Sequence, residues 1–283
     1  MIDFAADAER VAAIALAEDG ARDVTSDVTV APGAPGTGVL ECRSGGVLAG
    51  TLYARAVAKA CGCIIHWRAA EGDKLPRGAE LGTVEGALAA ILRAERPLLN
   101  FLQRATGIAT ATRAFVDAVH GTSARILHTR KTAPVLRGLD VAAVIAGGGC
   151  LHRLNLSDTV MVKDNHWRAL AARGLSLGEA LDAARARGVT SLQVEVESEA
   201  QLETACAAGA TRLLIDNQQP ATVGRWAERA RRLAPGIEIE ATGGITLANV
   251  ADYARAGADY ISVGGLTHSV RAADIALAVS GAD

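Results

Sequence analysis

The C-terminal half of the chain alternates short apolar runs with longer, Ala-rich segments of helical periodicity. The helical segments fall at residues 170–186, 198–209, 219–234 and 246–257, with Ser198 and Thr246 as candidate N-caps. The apolar runs end at six polar or glycine-rich positions: 130–131, 163–166, 195–197, 216–217, 240–244 and 264–265. Strand and helix repeating at this spacing predict parallel strands. Because six strands are fewer than eight, we expect an irregular or incomplete α/β barrel.

The N-terminal part has a different pattern. Its predicted elements are a helix at 5–17, a polar turn at 22–27, short Gly-broken apolar runs at 38–85 and a mostly helical stretch at 87–119. A helical segment, TLYARAVAKA, interrupts the apolar runs, and Pro97 and Gly107 are expected to interrupt the last stretch. This pattern predicts an antiparallel sheet with a helix against it, separate from the strand–helix repeats that follow.

Composition narrows the class of protein. Half of the 283 residues are apolar, only 3% are aromatic, and the net charge is −2. Such a balance argues against a nucleic-acid or anionic-membrane partner, so anion binding would need a local cluster of cations. The five cysteines are scattered and fit reduced thiols. The acidic N-terminal stretch does not resemble a signal peptide, and no apolar run approaches ~20 residues, so we expect a soluble cytoplasmic protein.

The chemistry-bearing residues lie at the strand ends. Cations are supplied by Arg130, Lys131, Lys163 and the pair His152-Arg153. Carboxylates follow at Glu195, Glu197 and Asp216. The last two ends carry Thr242-Gly243-Gly244 and Gly264-Gly265, and loops in this position commonly bind phosphate through backbone N–H groups.

Each feature also has a simpler structural interpretation. Arg130-Lys131 could be a solvated turn, Arg96 an exposed helical cation, and His152 a structural histidine. Glu195 could be the salt-bridge partner of a lysine, and each glycine pair a tight turn. Their recurrence at successive strand ends favours a barrel enzyme with a phosphorylated, polyanionic substrate and Mg²⁺. Neither zinc-ligand nor Ser/His/Asp spacing is present.

Eight stretches, in order along residues 12–273, resemble the quinolinate phosphoribosyltransferase family. They are ALAEDGARDVTSDVT, AERPLLNFLQRATGIAT, TRKTAPVLR, AGGGCLHRLNLSDTVMVKDNH, VEVESEAQLETACAAGA, LLIDN, EATGGI and GADYISVGGLTHS. The resemblance implies an N-terminal α/β sandwich domain (1–108) and an open α/β-barrel catalytic domain (109–269). A C-terminal helix at 270–283 is expected to pack on the first domain.

The resemblance also implies the reaction. Quinolinate attacks C1 of phosphoribosyl pyrophosphate, and nicotinate mononucleotide, pyrophosphate and CO₂ are formed in a step of NAD biosynthesis. Lys131, Lys163, Glu195 and Asp216 would be catalytic, and Glu195 and Asp216 would hold Mg²⁺ with help from water and substrate. The substrates would be bound by Arg96, Arg130, His152, Arg153, Thr242, Gly243, Gly244, Gly264, Gly265 and His268. Arg96 would come from the partner of a homodimer, with a hexamer as a larger alternative.

The sequence departs from the family pattern between residues 128 and 151, in the stretch that would lie beside the bound acid. His128, Val135, Val141-Ala142 and Leu151 replace an Asp, a Gly, a Lys-Tyr pair and an Asn. Three interpretations stay open at this point. They are quinolinate chemistry, transfer to another aromatic acid, and a non-catalytic relative of the molybdenum-transport-associated ModD family.

Overall fold

Helices and strands account for most of residues 2–281, the part of the chain that the computed structural model describes. The helices are α1 (Phe4–Glu18), α2 (Val24–Thr29), α3 (Thr51–Ala60), α4 (Leu88–Ala118), α5 (Arg137–Ala146), α6 (Asp164–Arg173), α7 (Leu177–Arg185), α8 (Glu199–Ala207), α9 (Pro220–Leu233), α10 (Val250–Arg255) and α11 (Gly265–His268). The strands are β1 (Pro35–Cys42), β2 (Gly46–Val47), β3 (Ile64–Trp67), β4 (Lys74–Leu75), β5 (Ala79–Ala87), β6 (Arg125–Leu127), β7 (Val160–Val162), β8 (Leu192–Val196), β9 (Arg212–Asp216), β10 (Glu238–Thr242), β11 (Tyr260–Ser262) and β12 (Ile275–Gly281). None of these helices is both long enough and apolar enough to cross a membrane.

Contacts between residues divide the chain into two compact units. The first contains the residues up to Arg113, Lys131–Gly149 and the residues from Leu266 onward. The second contains Ala114–Arg130 and Cys150–Gly265. The chain thus returns to the first unit twice, whereas the sequence suggested one boundary after residue 108 and a single return at 270–283. The domain bounds stay a prediction, because this grouping concerns contacts rather than independent folding.

The second unit confirms the predicted strand–helix alternation. Its six strands form a parallel sheet in the order β6-β11-β10-β9-β8-β7 within the described residues. All five residues of β8 are buried, as expected for a parallel strand covered on both faces. A mixed α/β fold with a parallel sheet and a separate antiparallel sheet is therefore confirmed.

The first unit contains the predicted antiparallel sheet, in the order β12-β1-β5-β3. The helix expected at 270–283 is wrong over the described residues, since Ile275–Gly281 is a strand paired along the whole of Gly36–Cys42. Its sequence, IALAVSG, alternates large and small side chains, which suits a strand. Gly38 leaves room for this pairing, because a Cβ there would lie 2.7 Å from Leu277 Cδ1.

Local elements correct four smaller predictions. The polar turn at 22–27 is instead the start of α2, because the Asp23 carboxylate accepts the N–H groups of Thr25 and Ser26 and caps a helix. The helix at 87–119 continues through Pro97 and Gly107 as α4. The segment 170–186 is divided at Gly174 into α6 and α7. The N-cap of α10 is Asn249 rather than Thr246, whereas the N-cap role of Ser198 is confirmed.

Candidate active site

The polar strand ends predicted from the sequence lie along one edge of the sheet in the second unit. Lys163 follows β7, Glu195 is the penultimate residue of β8, and Asp216 is the last residue of β9. Thr242-Gly243-Gly244 ends β10, and Gly264-Gly265 follows β11. Because parallel strands place their carboxyl ends at the same edge, these groups form one polar rim.

Two arginines in this unit repel each other. Burial lowers the pKa of the Arg153 guanidinium, and the neighbouring positive charge of Arg130 lowers that pKa further, while Glu240 and Glu195 act in the opposite direction. Arg130 Nε is buried and lacks a hydrogen-bond partner. Two half-buried guanidinium groups that share one region are stabilised by an anion between them. The arrangement therefore favours an acidic ligand.

Lys163 and Glu195 form an ion pair at the ends of β7 and β8. Glu195 is buried, its Oε2 accepts a hydrogen bond from Lys163 Nζ, and its main-chain carbonyl accepts one from Trp167 Nε1 at 3.0 Å. The salt-bridge interpretation of Glu195 is thus confirmed in the ligand-free protein. A catalytic role for either residue stays a prediction.

His152 uses both ring nitrogens within the protein. Its Nδ1 accepts the Arg153 main-chain N–H at 2.7 Å, and its Nε2 lies 3.2 Å from Glu240 Oε2. An Nδ1 that accepts places the ring proton on Nε2, which donates to the Glu240 carboxylate. His128 Nε2 in turn accepts the His152 main-chain N–H at 3.0 Å. The structural interpretation of His152 is therefore favoured by the geometry.

Glu240 is a fully buried carboxylate with three kinds of donor. Besides His152, it accepts hydrogen bonds from Ser262 Oγ at 2.5 Å and Arg212 Nη1 at 3.2 Å. Burial raises its pKa, but the hydrogen bonds from His152 and Ser262 and the positive charge of Arg212 outweigh burial and leave the pKa below its usual value. The carboxylate is therefore ionised and held in one orientation.

The turn after β10 is built for close backbone approach. Gly243 and Gly244 have φ values of +84° and +62°, and a Cβ on Gly243 would lie 2.2 Å from Asn217 Oδ1. Asn217 N–H donates to the Thr242 carbonyl at 2.9 Å, and Asn217 Nδ2 donates to Asp216 Oδ2 at 2.6 Å. A Cβ on Gly265 would meet open space. Consecutive left-handed glycines expose N–H groups in the manner of an anion-binding nest.

The remaining predicted site residues belong to the first unit. Arg96 is exposed on α4, with Glu95 3.7 Å away, and His268 Nδ1 lies 2.7 Å from Ser269 Oγ. Lys131, which directly follows Arg130, accepts a hydrogen bond from Thr267 Oγ1 at its carbonyl, 2.8 Å away. The contribution of these three residues to a site stays a prediction.

A buried ion pair holds the segment after Lys131. Asp140 is fully buried, and both of its carboxylate oxygens accept hydrogen bonds from Arg104, at 2.7 and 2.8 Å. The same carboxylate accepts the Ala133 N–H at 3.1 Å, and Arg104 also donates to the Thr267 carbonyl at 3.0 Å. A bidentate pair of this kind fixes geometry as well as charge. The main chain at Lys131 and just after it is therefore anchored.

Among residues 2–281, no three His, Cys, Asp or Glu side chains converge as a metal site. Glu195 and Asp216 end neighbouring parallel strands, and carboxylate oxygens are the donors that Mg²⁺ prefers. Two carboxylates fit Mg²⁺ only where water and substrate oxygens complete its coordination. The residues present thus suit a metal that enters with its substrate.

The departures from the family pattern differ in their surroundings. Val141 is buried within α5, and Leu151 is exposed. Val135 has a φ of +68°, an unusual conformation for a β-branched residue that a glycine would adopt without strain. His128 is fully buried and contacts the main chain of His152. Of the four departures, His128 is the one whose described hydrogen bonds reach the predicted site residues.

The sequence assigned no role to three groups of this unit: His128 as a hydrogen-bond acceptor, the largely buried Arg212 and the buried Glu240. The pattern IEIEATGG offered an indication, because charged residues inside a parallel strand are unusual. Glu240 lies two residues before Thr242 and shares its side of β10. It therefore lies one step below the rim, and although the sequence includes it in the strand end at 240–244, the motif alone assigns it no role.

Comparisons with known proteins identify one family over most of the chain. Residues 23–106 match the family profile described as quinolinate phosphoribosyl transferase, N-terminal domain, and residues 108–278 match that of the C-terminal domain. The chain is 42% identical over 260 residues to the nicotinate-nucleotide pyrophosphorylase (carboxylating) of Mycobacterium leprae, covering 90% of each chain. The human protein of the same name is 37% identical over 247 residues, 86% of this chain and 82% of the human one.

Comparison with solved structures identifies the same family. The nicotinate-nucleotide pyrophosphorylase of Francisella tularensis superposes with a TM-score of 0.89 at 30% identity, covering 98% of this chain and 97% of the other. Both halves of the chain thus match one family in sequence and in fold. The chain belongs to the quinolinate phosphoribosyl transferase family, whose members are pentosyltransferase enzymes.

Proposed function

We propose that the protein transfers the phosphoribosyl group of phosphoribosyl pyrophosphate to quinolinate and releases CO₂ and pyrophosphate, forming nicotinate mononucleotide. The observation that carries this proposal is the repelling pair Arg130 and Arg153 on the same sheet edge as the glycine turns after β10 and β11. Two neighbouring guanidinium groups suit the carboxylates of the acid, and exposed N–H groups suit a phosphate.

The acid would be bound by charge and shape. Quinolinate has two adjacent carboxylates. Two neighbouring negative charges leave water only where several fixed cations replace their hydration. Arg130 and Arg153 supply planar forks suited to carboxylates, and Lys131 and Lys163 supply point charges. Decarboxylation leaves electron density beside the ring N⁺, so the pocket has mainly to orient the acid and exclude water.

The donor would be bound at the carboxylate and glycine end of the rim. Positive charge develops at C1 of the ribose during transfer, and Glu195 and Asp216 would stabilise it electrostatically. The same two carboxylates would hold the ribose hydroxyls and Mg²⁺. When bound, Mg²⁺ supplies positive charge to the pyrophosphate oxygens. Thr242, the glycines after β10 and β11 and His268 would surround the 5′-phosphate.

The proposal extends to assembly and location. We expect a homodimer in which Arg96 of each protomer serves the partner's site, because Arg96 is exposed and its described ion-pair partner is the adjacent Glu95. A hexamer of such dimers is the larger alternative. The protein is expected in the cytoplasm, where its five free cysteines would stay reduced.

A product assay tests the proposal. Purified protein is incubated with quinolinate, phosphoribosyl pyrophosphate and Mg²⁺, and nicotinate mononucleotide is quantified by chromatography. We expect product only when all three are present, and none after chelation of Mg²⁺.

Parallel reactions with nicotinate and other aromatic acids separate the remaining alternatives. Pyrophosphate release with one of these acids and none with quinolinate would show a rebuilt acid pocket. Absence of turnover with every acid would support the non-catalytic alternative. Either result would contradict the proposed function.

A further inference from the structure

The side chain of Asn249 bonds to the turn that precedes its own helix. Asn249 is the N-cap of α10, yet no N–H group of the described helix Val250–Arg255 bonds to its side chain. Its Oδ1 instead accepts the Thr246 main-chain N–H at 2.7 Å, and its Nδ2 donates to the Gly244 carbonyl at 3.1 Å. An N-cap asparagine ordinarily accepts an N–H group of the first turn of its helix. Here the amide joins two residues of the turn after β10.

This turn, residues 242–246, is called the glycine turn below, and its conformation needs a restraint. Gly243 and Gly244 both have positive φ values, and glycine adopts positive and negative φ with similar ease. A Cβ on Gly244 would meet open space, so no neighbouring atoms confine that side of the residue. Only some conformations of two adjacent glycines direct consecutive N–H groups towards one anion. Hydrogen bonds must therefore select the conformation that binds.

We propose that Asn249 is a positioning residue for the 5′-phosphate of the donor, and that its amide holds the glycine turn in the conformation that binds this phosphate. The inference rests on the proposed function. The groups that would meet the phosphate are main-chain N–H groups, so a restraint on the main chain acts directly on the binding groups. Asn249 acts through the turn and does not touch the donor.

The start of the glycine turn is held from the neighbouring strand. Asn217 N–H donates to the Thr242 carbonyl at 2.9 Å, where the pairing of β10 with β9 ends. Asn217 Oδ1 also occupies the space that a Cβ on Gly243 would need. The two glycines thus lie between an anchor at Thr242 and the two bonds of Asn249. Because the turn is formed before the donor arrives, less conformational entropy is lost when the phosphate binds.

The bonding pattern is specific for an amide. One end of the side chain must accept an N–H group and the other must donate to a carbonyl, and asparagine supplies one of each. Asn249→Ala removes both bonds. Asn249→Asp keeps an acceptor for the Thr246 N–H but places a second acceptor opposite the Gly244 carbonyl. Because the Asn249 side chain does not cap α10, neither substitution removes a cap from that helix.

Steady-state kinetics of these variants test the inference. KM is measured for phosphoribosyl pyrophosphate and for quinolinate, and ribose 5-phosphate, the phosphate-bearing part of the donor, is used as a competitive inhibitor. Ser176→Ala is the matched control, because Ser176 Oγ accepts the Glu179 N–H at 3.2 Å and caps its own helix, α7. The control thus loses a polar N-cap side chain that does not bond to the glycine turn.

We expect Asn249→Ala to raise KM for phosphoribosyl pyrophosphate about three- to tenfold, the effect of one to two ordinary hydrogen bonds. The inhibition constant of ribose 5-phosphate should rise by a similar factor, and KM for quinolinate should stay within about twofold. Asn249→Asp should be impaired at least as strongly, whereas Ser176→Ala should match the wild type. An unchanged KM for phosphoribosyl pyrophosphate in Asn249→Ala would overturn the inference. An equal rise in both KM values would also overturn it, because a general disturbance of the protein would then be the cause.

A measurement on the wild-type protein serves where the Asn249 variants do not fold. In ¹⁵N-labelled protein, the Thr246 N–H should be protected from exchange with solvent both before and after addition of ribose 5-phosphate, while the resonances of the Gly243 and Gly244 N–H groups shift. A Thr246 N–H that is protected only after the addition would contradict a turn formed in advance. Failure of the proposed function looks different: the wild-type protein would then form no nicotinate mononucleotide, whatever the state of the turn.

Discussion

At the scale of single residues, Arg130 illustrates a conflict between stability and binding. Its charge lowers the pKa of Arg153, which means that each guanidinium makes the other less favourable in the ligand-free protein. Its buried Nε adds the cost of a donor without an acceptor. Under the proposed function, both costs would disappear when a carboxylate of the acid binds. Residues that are unfavourable for the fold in this way are expected where a ligand completes the structure.

Replacement of Arg130 should therefore separate the stability of the fold from the binding of quinolinate. We expect Arg130→Met to leave the free energy of unfolding unchanged or to raise it by about 1 kcal/mol, because repulsion and the unpaired donor are removed. Quinolinate affinity should fall at least tenfold. Calorimetric unfolding with and without quinolinate measures both effects, since a bound ligand raises the Tm of the wild type but not of the variant. A normal KM for the acid would remove Arg130 from the site.

The sequence predicted that Arg130, Lys163, Glu195 and Asp216 lie at the ends of successive apolar runs and that Arg153 lies in the loop between the first two. It did not reveal the hydrogen bonds of His152 to His128 and Glu240, which join residues 24 and 88 positions apart. Strand order decides such contacts, since β10 pairs with β11 and β11 with β6. Periodicity along the chain contains no information on that order.

At the scale of elements, α4 shows how a glycine can be misinterpreted. Gly107 was expected to interrupt the helix, yet α4 passes through it. A Cβ at this position would lie 2.2 Å from the Arg271 carbonyl oxygen and 3.2 Å from Ala272 Cα. The glycine thus allows the chain that leads into β12 to cross the helix closely. The lower helix propensity of glycine is offset by that packing.

A pair of Gly→Ala variants tests this interpretation. Gly107→Ala should destabilise the protein by about 1–3 kcal/mol, because the obstructing atoms are main chain and cannot rotate away. Gly224 in α9 is the matched control, since its nearest contact would be an ordinary 3.5 Å. Gly224→Ala should be neutral or stabilising by up to about 1 kcal/mol. Chemical denaturation of both variants gives the comparison, and similar effects would mean that Gly107 has no special packing role.

The two wrong element types have different physical causes. Asp23 lies in a polar stretch that is typical of a turn, but its carboxylate caps the short helix α2 through residues two and three positions along the chain. Residues 275–281 are rich in alanine and could form a helix, yet the exposed edge of β1 provides a complete row of hydrogen-bond partners. A local cap decided the first case, and a tertiary partner decided the second. The strongly periodic segments, such as α1 and α9, were confirmed because burial of one face already favours a helix.

At the scale of the whole molecule, the predicted placement of Arg96 makes the protomer incomplete. A site assembled from two copies of one chain must appear twice in a dimer, because a two-fold axis repeats every contact. Arg96 of one protomer and Arg153 of the other would then serve the same site. A protomer that lacks either residue would still carry the other, and that property allows a complementation experiment.

Mixing Arg96→Ala with Arg153→Ala subunits tests the shared site. Each homodimer should be nearly inactive, since both of its sites lack one arginine. Random exchange makes half of the dimers mixed, and each mixed dimer has one intact site and one that lacks both residues. We therefore expect recovery to roughly a quarter of wild-type activity, the value that random pairing of two equal populations gives. Exchange is verified by mass spectrometry of differently tagged subunits, and mixing Arg153→Ala with itself is the control. Verified exchange without recovery would show that Arg96 acts within its own protomer or not at all.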